Sequence, residues 1–237
     1  MFAESLEESA IIKIKSFLDN EAFEGAQFYK AMATINNLCA NDLSSFYLDA
    51  IKERLYISKK ESSERRAAQA TLFAVGSGLA RILAPIFSFT CEELWGYLPK
   101  FDGKPASVFL AGLPSSIPSL TLTEAEHKFW LDMAVQRPTI LKKLEEKRVA
   151  KEIGHSLDAE VSIPARDVAS APAGFDDASI LKESLIVSKV VIDPNLAEVA
   201  VRHTPGEKCA RCWNYSESLG TNSDHPELCP RCTEAVT

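Results

Sequence analysis

The chain has 237 residues, enough to bury a sizeable core and to hold more than one domain. It is 46% hydrophobic and 25% charged, an ordinary composition for a soluble protein, and no apolar run reaches the roughly 18 residues that a membrane-spanning helix needs. Its net charge of −7 excludes a chain-wide affinity for polyanions, so any nucleic-acid contact must use local basic surfaces.

The opening residues Met1 to Glu8 lack the basic region and apolar run of a secretory signal, which predicts a cytoplasmic location. From there to about residue 98 the pattern is helical. A helix is expected over Ala10–Leu18 and a second over about Phe23–Cys39. Asn41 and Asp42 read as a cap before a helix that places Leu48, Ile51 and Leu55 on one face. Ser58 and Glu61 have capping-box spacing, and the helix after them carries Leu72, Val75, Leu79, Ile82 and Ile86 at helical spacing. Pro85 should end or kink it. Thr90 and Glu93 form a second capping-box pattern, opening a short helix through Trp95 and Leu98. These elements predict an antiparallel helical bundle over 1–98, within a chain that is mainly α.

Residues 99–120 carry Pro99, Pro105, Pro114 and Pro118 with Gly103 and Gly112, and read as a connector. A helical stretch from about Glu124 to Glu152 follows, with a restart expected at Pro138. Beyond it the period changes to strands near 158–163, 185–192 and 196–202, with a short helix near 177–182. Residues 121–204 therefore read as a small α+β unit, and 205–237 as a separate module.

That module is defined by cysteine. Cys39 and Cys91 stand alone in helix-like sequence and read as small core residues. The other four form Cys209-Ala210-Arg211-Cys212 and Cys229-Pro230-Arg231-Cys232, with 16 residues between the pairs. Two residues between thiolates let one tight turn aim both sulfurs at one metal, and two such turns complete a tetrahedron. Four soft sulfurs select zinc or iron over magnesium or calcium; nothing else in the sequence suggests the electron transfer of an iron site. The expectation is one zinc ion on Cys209, Cys212, Cys229 and Cys232, in a closed structural site with no open position for catalysis. His225-Pro226-Glu227 before Cys229 echoes a zinc deaminase, but one residue of separation is too few, and Cys209 and Cys212 would go unused.

Two basic clusters stand out. Lys52, Arg54, Lys59, Lys60, Arg65 and Arg66 flank a turn between helices, opposed by Glu53, Glu61 and Glu64. Arg137, Lys142, Lys143, Lys147, Arg148 and Lys151 are opposed by Glu145, Glu146 and Glu152. Each reads either as a solvated face with internal ion pairs or as a phosphate-binding edge. In the cysteine module Arg211 and Arg231 sit inside the knuckles beside Trp213. Two guanidinium groups and an indole suit phosphate contact and base stacking, although Trp213 equally suits a module core. The candidate RNA contacts are Arg54, Lys59, Lys60, Arg65, Arg66, Arg211, Trp213 and Arg231.

Asp42-Leu43-Ser44-Ser45-Phe46-Tyr47-Leu48-Asp49, with Lys52-Glu53-Arg54-Leu55-Tyr56, resembles the anticodon-binding helical domain of isoleucyl-tRNA synthetases. Leu83-Ala84-Pro85-Ile86, Ser88-Phe89-Thr90 and Glu92-Glu93-Leu94-Trp95 are similar to the next signature of that domain. Ile153-Gly154-His155-Ser156-Leu157-Asp158-Ala159 resembles the helix-to-strand junction that follows it. Gly206-Glu207-Lys208-Cys209 through Trp213, closed by Leu228 to Cys232, is similar to the C-terminal zinc module of the bacterial type. The four matches keep the family's order and span nearly the whole chain.

The resemblance implies a part of an isoleucine–tRNA ligase that binds the anticodon region of isoleucine tRNA, monomeric and away from membranes. The ATP motifs of that family, His-Ile-Gly-His and Lys-Met-Ser-Lys-Ser, are not in this sequence. ATP therefore belongs to the catalytic domain of a longer chain, as editing belongs to a further domain, and this part is expected to be non-catalytic. On that reading Met1 falls at a domain boundary. A stand-alone RNA-binding protein and a helical protein-interaction scaffold with a structural zinc are the alternatives.

Overall fold

The computed structural model describes residues 28–114, 123–168 and 176–237; the expected helix Ala10–Leu18 lies outside them. Among the described residues the chain divides into two compact units. One falls within Met1–Leu48 and Ser63–Thr121, the other within Asp49–Ser62 and Leu122–Thr237. Residues 49–62, read from the sequence as part of the 1–98 segment, thus group with the C-terminal unit.

In the first unit α1 (Phe28–Asn37) runs without a break into a π-helical segment, Leu38–Tyr47. Asn41 therefore does not cap a new helix. Its Nδ2 donates to Asn37 Oδ1 at 2.6 Å along the helix surface, and Ser45 Oγ donates to Ala40 O at 2.7 Å, five residues back, in keeping with the wider winding. Leaving α2 (Lys52–Tyr56) to the second unit, α3 spans Ser63–Leu83 and buries Ala68, Thr71, Val75, Gly78 and Ile82, a face built at three- and four-residue steps. It stops before Pro85, whose ring disfavours helical backbone at the preceding residue.

Neither predicted capping box forms. The Ser58 N–H donates to Glu53 O at 3.1 Å and so closes α2, and α3 begins only at Ser63. α4 (Ser88–Tyr97) starts ahead of Thr90, with Cys91 N–H on Phe87 O at 2.9 Å and Ser88 Oγ on Ala84 O at 3.1 Å. The proline-rich connector holds a further turn, α5 (Val108–Ala111), capped by Ser107 through the Phe109 N–H. α3, α4 and α5 pack around Ala80, Ala84, Cys91, Trp95 and Val108. Trp95 Nε1 donates to Pro105 O at 2.9 Å, so the connector supplies the acceptor that a buried indole needs.

In the second unit α6 spans Glu124–Val149 continuously; Pro138 lies inside it and does not restart it. β1 (Ala159–Pro164) is the centre of a three-stranded sheet, parallel to β2 (Lys189–Asp193) and antiparallel to β3 (Ala200–His203). α7 (Asp177–Leu185), capped by Asp176 through the Ser179 N–H at 2.9 Å, makes the crossover between β1 and β2. The alternation expected of β1 gives way to near-continuous burial, because a central strand is covered on both faces. Glu160 on β1 is 1% exposed and is neutralised from both neighbours, by Arg202 at 2.6 Å and Lys189 at 3.3 Å. At the junction before β1, His155 Nδ1 accepts the Leu157 N–H, while Asp158 Oδ2 accepts the Gly154 and His155 N–H groups. Ile153-Gly154-His155 is thus a capped turn. No described helix is long and apolar enough to cross a membrane.

Candidate metal centre

The tail is built from a hairpin and a helix. β4 (Glu207–Lys208) and β5 (Tyr215–Ser216) pair antiparallel, and the first knuckle is the turn between them. The Cys209 N–H donates to Asn214 O at 2.9 Å and the Trp213 N–H to Cys209 O at 3.0 Å, which closes the knuckle. Closing it places Trp213 at φ 66°, a left-handed conformation rare for a bulky residue. Gly206 opens the hairpin at φ 93°; a Cβ there would stand 2.5 Å from the Ser216 carbonyl carbon, so the position requires glycine twice over. The second knuckle uses a helix start. Cys229 precedes α8 (Pro230–Val236), Pro230 occupies the first turn, and Cys232 follows on that turn.

The knuckles are joined by Ala210 N–H to Glu227 O at 3.1 Å and by Cys229 N–H to Cys209 Sγ at 3.3 Å. All four Sγ atoms lie within 4.8 Å of one another, and all four cysteines are buried. A tetrahedral zinc with Zn–S bonds of about 2.3 Å sets sulfurs about 3.8 Å apart; Cys212 and Cys229 Sγ are 3.7 Å apart. The donor set, its spacing and its burial fit one zinc ion held by Cys209, Cys212, Cys229 and Cys232. Local electrostatics agree. Burial pushes the Cys209 thiol up, but the backbone N–H groups of Cys212, Cys229 and Arg211 outweigh it and bring it down to about 6. Burial and the neighbouring Cys212 charge push Cys232 up. Four thiolates so close together need a cation, and a dication meets that need.

The sulfur cluster is walled by Leu219, Leu228 and Ile57. Ile57 comes from the segment just after α2, and polar contacts repeat the connection. Arg211 Nη1 donates to Ile57 O at 2.7 Å. Glu53 accepts from Arg231 Nη1 at 2.6 Å through one carboxylate oxygen and from Asn214 Nδ2 through the other. Burial raises the Glu53 carboxyl, yet Arg231, Lys182 and Asn214 together hold it below the usual glutamate range. Arg54, only 13% exposed, pairs with Glu183 of α7 at 2.6 Å.

Three of the candidate RNA-binding cations, Arg54, Arg211 and Arg231, are therefore engaged by acceptors of their own unit. Lys59 and Lys60 are exposed, with Lys59 Nζ 3.8 Å from Glu234. Arg65 and Arg66 lie at the start of α3 in the other unit, Arg66 Nη1 3.3 Å from Gln69 Oε1. Trp213 is 59% exposed, so it is not the core of the module, and Lys208 Nζ stands 5.4 Å from its ring centroid. The second basic cluster is largely paired internally: Arg137 to Ser184 O, Lys143 to Glu198, Lys147 to Glu152 and Arg148 to Glu145.

Beside Trp213 opens a cleft of about 270 Å³. Tyr56, Lys52, Lys182, His155 and Trp213 are among its lining, so it offers two aromatic rings and several cationic or titratable groups. Glu53, Asn214, Lys208, Tyr56 and Lys182 had no assigned role in the sequence. Lys208 was the most visible of them, inside the Gly206-Glu207-Lys208-Cys209 run; Glu53 counted only as an acid opposing its neighbours.

Residues 20–163 match the family described as the anticodon-binding domain of tRNA ligase, and residues 206–235 match the zinc finger found in FPG and IleRS. Among curated relatives, the chain is 39% identical over 234 residues to the isoleucine–tRNA ligase of Thermoanaerobacter sp. (strain X514), covering 91% of this chain and 24% of that protein. It is 37% identical over 236 residues to that of Nitratidesulfovibrio vulgaris (strain DP4), covering 92% and 24%. To that of Desulforudis audaxviator (strain MP104C) it is 34% identical over 247 residues, covering 98% and 26%. The chain spans about a quarter of the length of the relatives it matches. With four clustered thiols at the place of that zinc finger, and the anticodon-binding match covering most of the rest, the chain belongs to the anticodon-binding domain family of tRNA ligases.

Proposed function

We propose that this chain is the tRNA-binding part of an isoleucine–tRNA ligase. It grips the anticodon stem and loop of isoleucine tRNA, while catalytic and editing domains of the same full-length chain carry out the chemistry, including activation of isoleucine with ATP. The observation that carries the reading is the joint match: an anticodon-binding domain over 20–163 and the zinc finger over 206–235, in one chain and in that order. On this reading the anticodon-binding helices come from the segment 1–98, of which 49–62 group with the C-terminal unit, followed by a connector at 99–120, a junction domain at 121–204 and the zinc module at 205–237, in a monomeric cytoplasmic protein.

The physical division of labour follows from the side chains. An unpaired loop is the part of a folded RNA whose bases can be splayed out and stacked on aromatic rings. Trp213 and Tyr56, at 59% and 72% exposure, present such rings at the cleft, and Lys208 and Lys182 offer partners for phosphate, whereas Lys52 is paired with Asp49 at 2.5 Å. Lys59 and Lys60 add phosphate contacts within this unit; on the first unit, taken by itself, Arg65 and Arg66 at the start of α3 are further candidates. Arg54, Arg211 and Arg231 hold the surface in shape from behind. Zinc, when bound, supplies the charge that lets four thiolates share a buried site; it leaves no position for a substrate.

Binding titrations with an isoleucine tRNA transcript, its anticodon stem-loop and an acceptor minihelix test the reading. The stem-loop should compete with the whole tRNA and the minihelix should not, with affinity falling steeply as salt rises. The chain alone should show no isoleucine-dependent exchange between pyrophosphate and ATP. Preference for the minihelix, or binding indifferent to salt, would refute the proposal.

A further inference from the structure

α2 is a five-residue helix with no side-chain cap and no buried residue of its own. An isolated helix that short does not hold itself together in water. Its order comes from what it touches. Arg54 fastens one side of it to Glu183 of α7. Its other side is fastened to the zinc module.

Glu53 has partners 161 and 178 residues away in the chain, one from each knuckle. Asn214 follows Cys212 and Trp213; Arg231 stands between Cys229 and Cys232. Each occupies a different oxygen of the same carboxylate. One short side chain reaches both only when the two knuckles are closed against each other, as they are through Ala210 N–H on Glu227 O, Cys229 N–H on Cys209 Sγ and the four sulfurs they share. Arg211, inside the first knuckle, adds its bond to Ile57 O, and the Ile57 side chain lies on the sulfur cluster. The same two stretches of chain, 49–57 and 211–214, both line the cleft, the first with Lys52 and Tyr56 and the second with Trp213.

We infer that Glu53 is a positioning residue, tying both knuckles to α2 so that the α2 wall of the cleft keeps its shape only while the knuckles hold their metal. Zinc then does more than fold the tail. It sets the segment 52–62, with Tyr56, Lys59 and Lys60, through one carboxylate and one carbonyl. Only the consequence for RNA rests on the proposed tRNA-binding function; the coupling itself does not.

Hydrogen exchange on the whole chain tests it, read at peptides covering 52–62 and 207–237, with zinc content measured in parallel. The Ile57 and Ser58 amides both donate to Glu53 O, so they report directly on α2. Removing zinc with a chelator should speed exchange in 52–62 about tenfold or more, together with the tail, because two contacts to a charged carboxylate are lost at once. Glu53→Ala with zinc still bound should speed exchange in 52–62 while the tail stays protected. Deprotection confined to 207–237 on zinc removal, or parental exchange in a zinc-bound Glu53→Ala, would overturn the inference. If Glu53→Ala does not fold, the chelation arm decides alone. Stem-loop titration separates the two readings: altered exchange with unaltered RNA affinity leaves the coupling standing and removes the cleft from the RNA interface.

Discussion

Replacing Trp213 by alanine and by glycine separates what this side chain does for the fold from what it does at the surface. The indole is 59% exposed, which leaves roughly 100 Å² of it buried and, at about 25 cal/mol/Å², at most about 2.5 kcal/mol of burial to lose. Against that stands its backbone. At φ 66° a non-glycine residue is strained by about 1–3 kcal/mol, which glycine relieves and alanine does not. The alanine variant should therefore be destabilised by about 1–2 kcal/mol, and the glycine variant should lie within about 1 kcal/mol of the parent. RNA binding should not follow that order. A base stacked on the ring contributes about 1–3 kcal/mol, so both variants should lose roughly tenfold to a hundredfold in stem-loop affinity. Thermal unfolding, zinc analysis and a stem-loop titration at one fixed salt concentration measure all three. Loss of zinc, or destabilisation of about 4 kcal/mol or more, would make Trp213 a core residue. Parental affinity in either zinc-bound variant would refute stacking at this site.

The other expectations concern the module and the cations. Gly206→Ala should disrupt the hairpin and release zinc to a chelator far faster than the parent, since the new Cβ meets Ser216 backbone and not a movable side chain; parental release kinetics would contradict this. Zinc removal should unfold 207–237, given that such sites contribute on the order of 10 kcal/mol, while α3 and α4 keep their exchange protection. The Glu53 carboxyl is held below its ordinary range, so its contribution is fully present above the unfolded value of about 4.3 and is lost as pH falls through the lower folded value. The stability gap between parent and Glu53→Gln, measured by denaturant titration, should be constant near neutrality and close on acidification; thiolate protonation is common to both and cancels. A gap that widens on acidification would reverse the sign of the argument. Neutralising Lys59, Lys60, Arg65 and Arg66 together should weaken all RNAs alike and flatten the dependence of affinity on salt, and an unchanged slope would place the phosphate contacts elsewhere.

Two features were legible in the sequence because their chemistry is local. A Cys-x-x-Cys turn presents its two sulfurs whatever surrounds it, so the metal centre could be read from spacing alone. Pro85 stops α3 by its own ring. The capping boxes were less secure for the same reason turned round. Each rests on a few side chains, and a competing acceptor nearby displaced both: Glu53 O took the Ser58 N–H, and Phe87 O opened α4 ahead of Thr90. Asn41 found Asn37 along a continuous helix before it could cap another.

What only the tertiary structure decided is which charges are spoken for. Lys52, Glu53, Arg54, Lys59 and Lys60 look alike as a sequence, one mixed run on a helix edge. In the fold Arg54 is taken by a residue 129 positions away, Glu53 by residues 161 and 178 positions away, and Lys60 remains exposed. Arg211 and Arg231, whose places inside the knuckles suggested phosphate, turn to Ile57 O and Glu53. Trp213 was balanced between core and surface until the closed knuckle put it in the left-handed region and left its ring outside. Spacing determines which side chains share a turn; which acceptor a long, flexible cation finds depends on chain segments that only folding brings within about 3 Å of it.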